Sequence, residues 1–305
     1  MARSIEHLSE VYARKRALKA PVISFEFFPP KTPEGDAALL NRTIPALSKF
    51  NPDYCSVTYG AGGSTRGKSL MIVDRIQKDH QLTALAHLTC VNATKEEIRD
   101  VLEEARSLGV KNILALRGDP PAGSEEFKKT EGGFEYSYEL VEFLREIDGF
   151  SIGVAGFPEG HVACQEGKQV DWDRLKQKVD SGADFVITQL FFDNTDYYEF
   201  RDHLTKKLGV NVPLVPGILP VLSGKQIKRF TEMCGARIPS PMLTRLDELG
   251  DDETASAEFG VDYATEQCRD LLANGAEGIH FYSLNKAPSC SAVLKNLALP
   301  GHEGE

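Results

Sequence analysis

A glutamate held among aromatic residues, Glu26 in the run Phe25 to Phe28, is the first side chain of this sequence suited to moving a proton. A carboxyl group stripped of water by phenyl rings has its pKa raised, so it can hold a proton near neutral pH and donate it. The plainer alternative is a strand residue facing solvent, against which stands the cost of an inward carboxylate with no task. A second cluster, Arg117-Gly118-Asp119, follows the apolar run Ile113 to Leu116 and is cut off by Pro120 and Pro121. A cation, a flexible glycine and a carboxylate at one strand end suit an anionic, polar cofactor; a surface turn with a local ion pair is the competing reading. His87 reads by itself as a satisfied core histidine. Gln226, three residues after Ser223, reads as part of a capping box, and Phe230 one turn on as core. Lys286 invites comparison with a Schiff-base lysine, but such a lysine needs a buried apolar setting that Asn285 and Ala287 do not offer. No His/Cys/Asp/Glu spacing suggests a metal site, and no Ser or Cys carries a nucleophile elbow.

Eight apolar runs alternate with helical patterns along the chain. The strands are expected at 22–28, 54–58, 83–89, 112–116, 151–155, 184–190, 212–217 and 278–282. Between them, helices are expected at 35–50 (kinked by Pro45), 68–79, from the Thr94/Glu97 capping box to Gly109, and at 138–147, 171–180, 197–208 and 223–234. Extra helical material fills 239–274, and an amphipathic helical extension covers 1–20. Near-continuous apolar strands imply a sheet buried on both faces, and eight βα units fit a single-domain (β/α)8 barrel spanning residues 1–305. A doubly wound sheet competes, but the glycines at Gly60, Gly62 and Gly63 do not complete a dinucleotide fingerprint. In a barrel the C-terminal strand ends form the functional face. The polar residues there are Glu26, Thr58, Tyr59, His87, Thr89, Arg117, Asp119, His161, Gln189, Tyr282, Asn285 and Lys286.

The chain has 305 residues, 41% hydrophobic and 26% charged, with a net charge of −10. That charge argues against nucleic acid or an anionic membrane as partner, and no apolar run is long enough to span a bilayer. Six scattered cysteines without a C-x-x-C pair indicate reduced thiols and a cytoplasmic protein, with Cys55 and Cys90 in the core.

Seven motifs in order then carry a resemblance: FEFFPPK (Phe25 to Lys31), VTYG (from Val57), HLTC (from His87), LRGD (from Leu116), ITQ (from Ile187), PGILP (from Pro216) and HFYSLN (from His280). From about residue 22 to 297 the chain resembles methylenetetrahydrofolate reductase. The resemblance implies a flavoprotein that reduces 5,10-methylenetetrahydrofolate to 5-methyltetrahydrofolate, with FAD as cofactor and NADH or NADPH as co-substrate. It implies ping-pong kinetics and a supply of methyl groups for methionine synthesis. Glu26 would protonate the folate as its five-membered ring opens to an iminium. Asp119 would lie between flavin and pterin, stabilising the cation. Gln189, Gln226, Phe230, Tyr282 and Lys286 would contact folate. FAD would meet Thr58, Tyr59, Ala61, His87, Arg117, Gly118, Asp119, Ser137, Phe157, His161, Cys164, Asp171, Arg174, Gln177 and Lys178. Arg117, Lys178 and the start of a helix at Asp171 would offset the pyrophosphate charge.

Three positions depart from the family pattern. Lys286 stands where arginine is usual, Phe157 where tyrosine is common, and the charged loop from Ser124 to Phe134 is longer than in compact bacterial members. The S-adenosylmethionine-binding regulatory region of eukaryotic relatives is not expected here, nor is feedback by that ligand, while a homo-oligomer is. Two other functions compete: a barrel aldolase using Lys286 on phosphorylated substrates, and a non-catalytic pterin-binding module.

Overall fold

The computed structural model describes residues 4–59, 66–119 and 127–304. Eight parallel strands close in sequence order into a barrel: β1 (Val22–Phe27), β2 (Tyr54–Val57), β3 (Thr83–Thr89), β4 (Asn112–Leu116), β5 (Ser151–Gly156), β6 (Phe185–Leu190), β7 (Leu214–Ile218) and β8 (Gly278–Tyr282), with β8 pairing back to β1. Around them run α1 (Leu8–Leu18), α2 (Pro33–Ala38), α3 (Ile44–Ser48), α4 (Arg66–His80), α5 (Lys95–Ser107), α6 (Ser137–Ile147), α7 (Lys168–Asp180), α8 (Asn194–Asp202), α9 (Gly224–Cys234), α10 (Ser240–Leu249), α11 (Glu253–Ala273) and α12 (Ala287–Leu297). This is the (β/α)8 barrel expected, with α10 and α11 as the extra helices before the last strand. No helix among the described residues is long and apolar enough to cross a membrane.

Strand alternation divides the residues between two cores. On β1, Ile23, Phe25 and Phe27 face outward into the large cluster shared with the surrounding helices. Val22 joins an inner cluster with Tyr54, Leu85, Leu114, Phe185, Ile187 and Val215. With a side-chain period of two, Ser24 and Glu26 share the inward face of Val22. α1 stoppers the N-terminal end of the barrel, its Leu8, Val11 and Tyr12 packing into that inner cluster. Burial of three such side chains stabilises the plug by about 1.5–3 kcal/mol each. Polar bonds fix its register: Leu8 N–H donates to Asn112 Oδ1 at 2.7 Å, and the hydroxyls of Tyr12 and Tyr54 meet at 2.9 Å. The functional rim is therefore the opposite end.

Several boundaries differ from the sequence expectation. The helix expected at 35–50 is α2 and α3 joined by a π-helical turn, Leu39–Thr43, with Pro45 in the first turn of α3. A π turn widens the helix by one residue per turn, which periodicity over a short window does not reveal. A second one, His203–Lys207, follows α8. α7 starts at Lys168 and not at Asp171, because Gly167 at φ 95° sets its entry; Asp171 thus lies in the first turn. β7 is shifted toward its C-terminus, since Pro213 has no N–H for the ladder and contributes only its carbonyl, to Val186 N–H.

Candidate active site

Glu26 is buried at the end of β1, directly paired with Ser56 and Tyr282 on the neighbouring strands. Its setting differs from the one expected. Phe25 and Phe27 point outward, so the rings adjacent in sequence are not the ones that enclose it. Two histidines face it instead. Glu26 Oε2 lies 3.4 Å from His87 Nε2 and 3.5 Å from His280 Nε2, and neither nitrogen has a hydrogen-bond partner. The expectation of a satisfied core histidine at 87 is therefore corrected: the ring is buried, but one nitrogen is open toward the carboxylate. Burial pushes His87 down to about 4, so it is neutral near pH 7.

His280 is fixed from behind. Its Nδ1 meets Ser24 Oγ at 2.8 Å, and its ring is wedged between Tyr54, stacked at 6.1 Å, and Tyr282, edge-on at 5.4 Å. If Ser24 donates to Nδ1, His280 Nε2 presents its proton to Glu26. In the other tautomer Nε2 offers a lone pair, so the imidazole can stand on either side of a proton transfer. The backbone of Glu26 is anchored as well: Ser283 Oγ donates to its carbonyl at 2.5 Å. Asn285 clamps the next turn, accepting from Phe28 N–H at 2.9 Å and donating to Phe28 O at 2.7 Å. Leu284 and Asn285 both adopt positive φ (49° and 56°) to make that turn. Sequence reasoning gave His280, Ser24 and Ser283 no role. The signal was available: once β8 lies beside β1, Ser24 opposes His280 and Glu26 opposes Tyr282.

A second group gathers on the rim after β4 and β5. Arg117, half-buried, lies 5.1 Å over the ring of Phe127. Gly118 at φ +87° has no space for a side chain, because a Cβ would come 2.6 Å from Val91 and 3.0 Å from Thr89. Thr89 Oγ1 nearby is buried without a partner. Lys178, projecting from α7, has its Nζ 3.4 Å from the Ala155 carbonyl. Burial pulls the Lys178 ammonium below the usual lysine range, opposed by Asp171 and reinforced by Arg117. His161 is also pulled down by burial, with Asp171, Arg117, Lys178 and the exposed Asp119 all acting on it. Asp171 is raised by burial and accepts from His161 N–H at 3.2 Å. Arg117 and Lys178 thus stand near two carboxylates, the half-buried Asp171 and the exposed Asp119.

The other expected residues fall on the same end of the barrel with unequal engagement. Phe157 is edge-on to His161 at 4.6 Å, and its carbonyl accepts from Trp172 Nε1 at 2.8 Å. Cys164 Sγ lies 3.3 Å from Arg174 Nη1, whose other nitrogen pairs with Glu166 at 2.6 Å. Ser137 is buried at the start of α6, while Gln177 is exposed on α7. Thr58 N–H donates to Phe27 O at 2.9 Å, and Tyr59 packs half-buried against the outer core. Ala61 lies outside the described residues, as does the start of the 124–134 loop.

Gln189, one residue before the end of β6, is half-buried, its Oε1 accepting from Leu190 N–H at 2.8 Å. Gln226 and Phe230 are half-buried on α9, where Ser223 Oγ caps the Gln226 N–H. Tyr282 commits its hydroxyl to Thr188 O at 2.7 Å, leaving its ring for contact. Gly217 makes room for that ring, since a Cβ would sit 2.6 Å from Tyr282 Cε2 and 2.3 Å from Thr188 O. Lys286 is exposed at the start of α12, the reverse of the setting a Schiff-base lysine requires. Among the described residues no group of three His, Cys, Asp or Glu side chains could hold a metal ion. None of the six cysteines forms a disulfide, and Cys55 and Cys90 lie in the outer core as expected.

Residues 12–298 match the family model for methylenetetrahydrofolate reductase. The chain is 41% identical over 286 residues to methylenetetrahydrofolate reductase (NADH) 1 of Arabidopsis thaliana, covering 90% of this chain and 48% of that one. It thus spans about half the length of the plant relatives it matches. It is 39% identical over 280 residues to 5,10-methylenetetrahydrofolate reductase of Escherichia coli, covering 92% of both. Among solved structures, a Clostridium thermocellum protein that binds two copies of 5-methyl-5,6,7,8-tetrahydrofolic acid superposes with a TM-score of 0.62. It covers 96% of this chain and 98% of its own at 17% identity, a likeness of fold alone. The chain belongs to the methylenetetrahydrofolate reductase family.

Proposed function

We propose that this protein reduces 5,10-methylenetetrahydrofolate to 5-methyltetrahydrofolate with electrons from a reduced nicotinamide nucleotide, through FAD held on the β4–β5 rim. The observation that carries the reading is the buried Glu26 carboxyl, aimed at two histidines on the same end of the barrel as Arg117 and Lys178. FAD held there by Arg117, Lys178 and Gly118 would supply the hydride chemistry that links nicotinamide to folate. The residues present fit such a cofactor. Arg117 and Lys178 neutralise a pyrophosphate, Gly118 allows close backbone approach, and Thr89 offers an unpartnered hydroxyl. Thr58, Tyr59, His87, Ser137, Phe157, His161, Cys164, Asp171, Arg174 and Gln177 complete the contacts.

Glu26 gives its proton to the folate as the five-membered ring opens. Asp119 stabilises the resulting cationic iminium by its negative charge. Gln189 and Gln226 orient the pterin amide, Phe230 and the Tyr282 ring pack on its faces, and Lys286 meets the outer carboxylate as a point charge. Nicotinamide and folate are both flat donors or acceptors, so one stacking surface serves them in turn and the kinetics are ping-pong. The test is anaerobic stopped-flow of the two half-reactions. Flavin reduction by NADH, the reductant in the plant relative's name, is followed and then repeated with NADPH; reoxidation by the folate comes next. A purified protein that holds no flavin, or a reduced flavin that the folate does not reoxidise, would overturn the reading.

A further inference from the structure

α9, which carries Gln226 and Phe230, does not rest on the main core. It packs with α10 on a separate small cluster that includes Leu190, Leu219, Val221, Ile227, Met242 and Leu246. An element on a satellite cluster opens at lower free energy than the barrel strands unless something ties it down. Its C-terminal end is tied. After Gly235, which caps α9 at φ +75°, the Arg237 N–H donates to both carboxylate oxygens of Glu159, at 3.0 and 3.2 Å. The Arg237 guanidinium reaches Asp196 at 3.0 Å and Asp193 at 3.6 Å, and its Nε lies 3.9 Å from Glu159.

These partners come from different elements. Glu159 belongs to the β5–α7 segment that also holds Phe157 and His161; Asp193 caps α8 and Asp196 lies in its first turn, just after Gln189. Contact is close: a Cβ on Gly235 would come 2.2 Å from Val162 Cγ1. Phe157, Glu159, Gln189, Leu190, Cys234 and Ala236 line one narrow cleft where the three segments meet. Three carboxylates meet the Arg237 side chain, and the side chains of Glu159 and Asp196 are only 16% and 14% exposed. Without Arg237 their mutual repulsion would push the segments apart. An exposed guanidinium in a single ion pair would contribute little, but here it closes a network and its backbone is bonded as well.

We propose that Arg237, with Glu159, Asp193 and Asp196, is a latch that locks the end of α9 to the cofactor-side segment and so positions Gln226 and Phe230 for the substrate. Arg237 is thus a positioning residue. The inference rests on the folate reading of α9 given above, and it adds that the substrate helix and the cofactor loop are registered by one side chain.

The test compares the intact flavin-loaded protein with Arg237→Met, Arg237→Lys and Asp196→Asn. Amide hydrogen exchange across 224–234, measured without substrate, should quicken in Arg237→Met while the barrel strands stay protected. KM for methylenetetrahydrofolate should rise about fivefold with kcat changed less than twofold. Arg237→Lys should recover part of that rise, and Asp196→Asn combined with Arg237→Met should add little to the single change. Unchanged exchange in α9 would overturn the latch. Quickened exchange with an unchanged KM would overturn α9 as the substrate-positioning helix. A parent protein that does not reoxidise its flavin with folate would instead point to failure of the underlying reading.

Discussion

The pocket around Glu26 and the cationic rim around Lys178 are built in opposite ways. The first is assembled almost wholly from strands: Glu26 and Ser24 from β1, His87 from β3, His280 and Tyr282 from β8. Ladder register fixes those side chains to within the pleat, and Glu26, Ser24, His87 and His280 are buried. The second is assembled from loop ends and one helix, with Arg117 and Gly118 past β4, His161 past β5, and Asp171 and Lys178 on α7. Its parts are held by ring contacts and by bonds to backbone atoms, with Arg117 over Phe127, His161 against Phe157, and Lys178 reaching the Ala155 carbonyl. Proton delivery needs a group placed to a fraction of an ångström, whereas neutralising a diphosphate tolerates more slack. On the proposed reading, the demanding task falls to side chains fixed by the strand ladder.

The sharpest way to break this contrast is Glu26→Gln, which keeps shape and removes the acid. Folate-driven flavin reoxidation should fall at least about a thousandfold while flavin reduction by nicotinamide changes little. Equal loss in both half-reactions, measured anaerobically, would refute a proton-specific role. Next in size is an acid-side stability effect from the buried His87. His87 is pushed down to about 4 from its ordinary value of 6.5, so between those values the unfolded chain binds a proton that the folded chain refuses. Stability is therefore full above pH 6.5 and declines as pH falls toward 4, by up to about 3 kcal/mol. Replacing His87 by Gln should flatten that slope in urea titrations at pH 4.5 and 7.5, and an unaltered slope would assign the acid sensitivity elsewhere.

On the cationic side, Lys178→Met should weaken FAD binding roughly thirtyfold, read by fluorescence titration of the stripped protein, with the barrel's thermal midpoint nearly kept. Retention of full flavin affinity would remove Lys178 from that site. The smallest effect belongs to Ser24→Ala, which frees the His280 ring without touching Glu26. The folate half-reaction should slow about threefold with nicotinamide oxidation unmoved. A folate rate equal to the parent's would show that Ser24 does not position His280.

Much of this was legible beforehand, for reasons that differ from residue to residue. The barrel follows from apolar runs whose spacing and length allow few alternatives, and Glu26 and Arg117 stand out because charge at a strand end breaks the pattern. His280 did not stand out, because its importance comes from β8 closing against β1, a contact between positions 256 residues apart in the chain. The supposed aromatic cage of Glu26 misled for a related reason: neighbours in sequence on a strand face opposite ways, so Phe25 and Phe27 enclose the helices' core and not the carboxyl. The two π turns were invisible because one extra residue per turn leaves the apolar spacing nearly intact.

The N-terminal helix driven into the base of the barrel has a consequence for traffic. With Leu8, Val11 and Tyr12 filling that end among the described residues, a visitor to Glu26 approaches from the opposite mouth, where the strands finish.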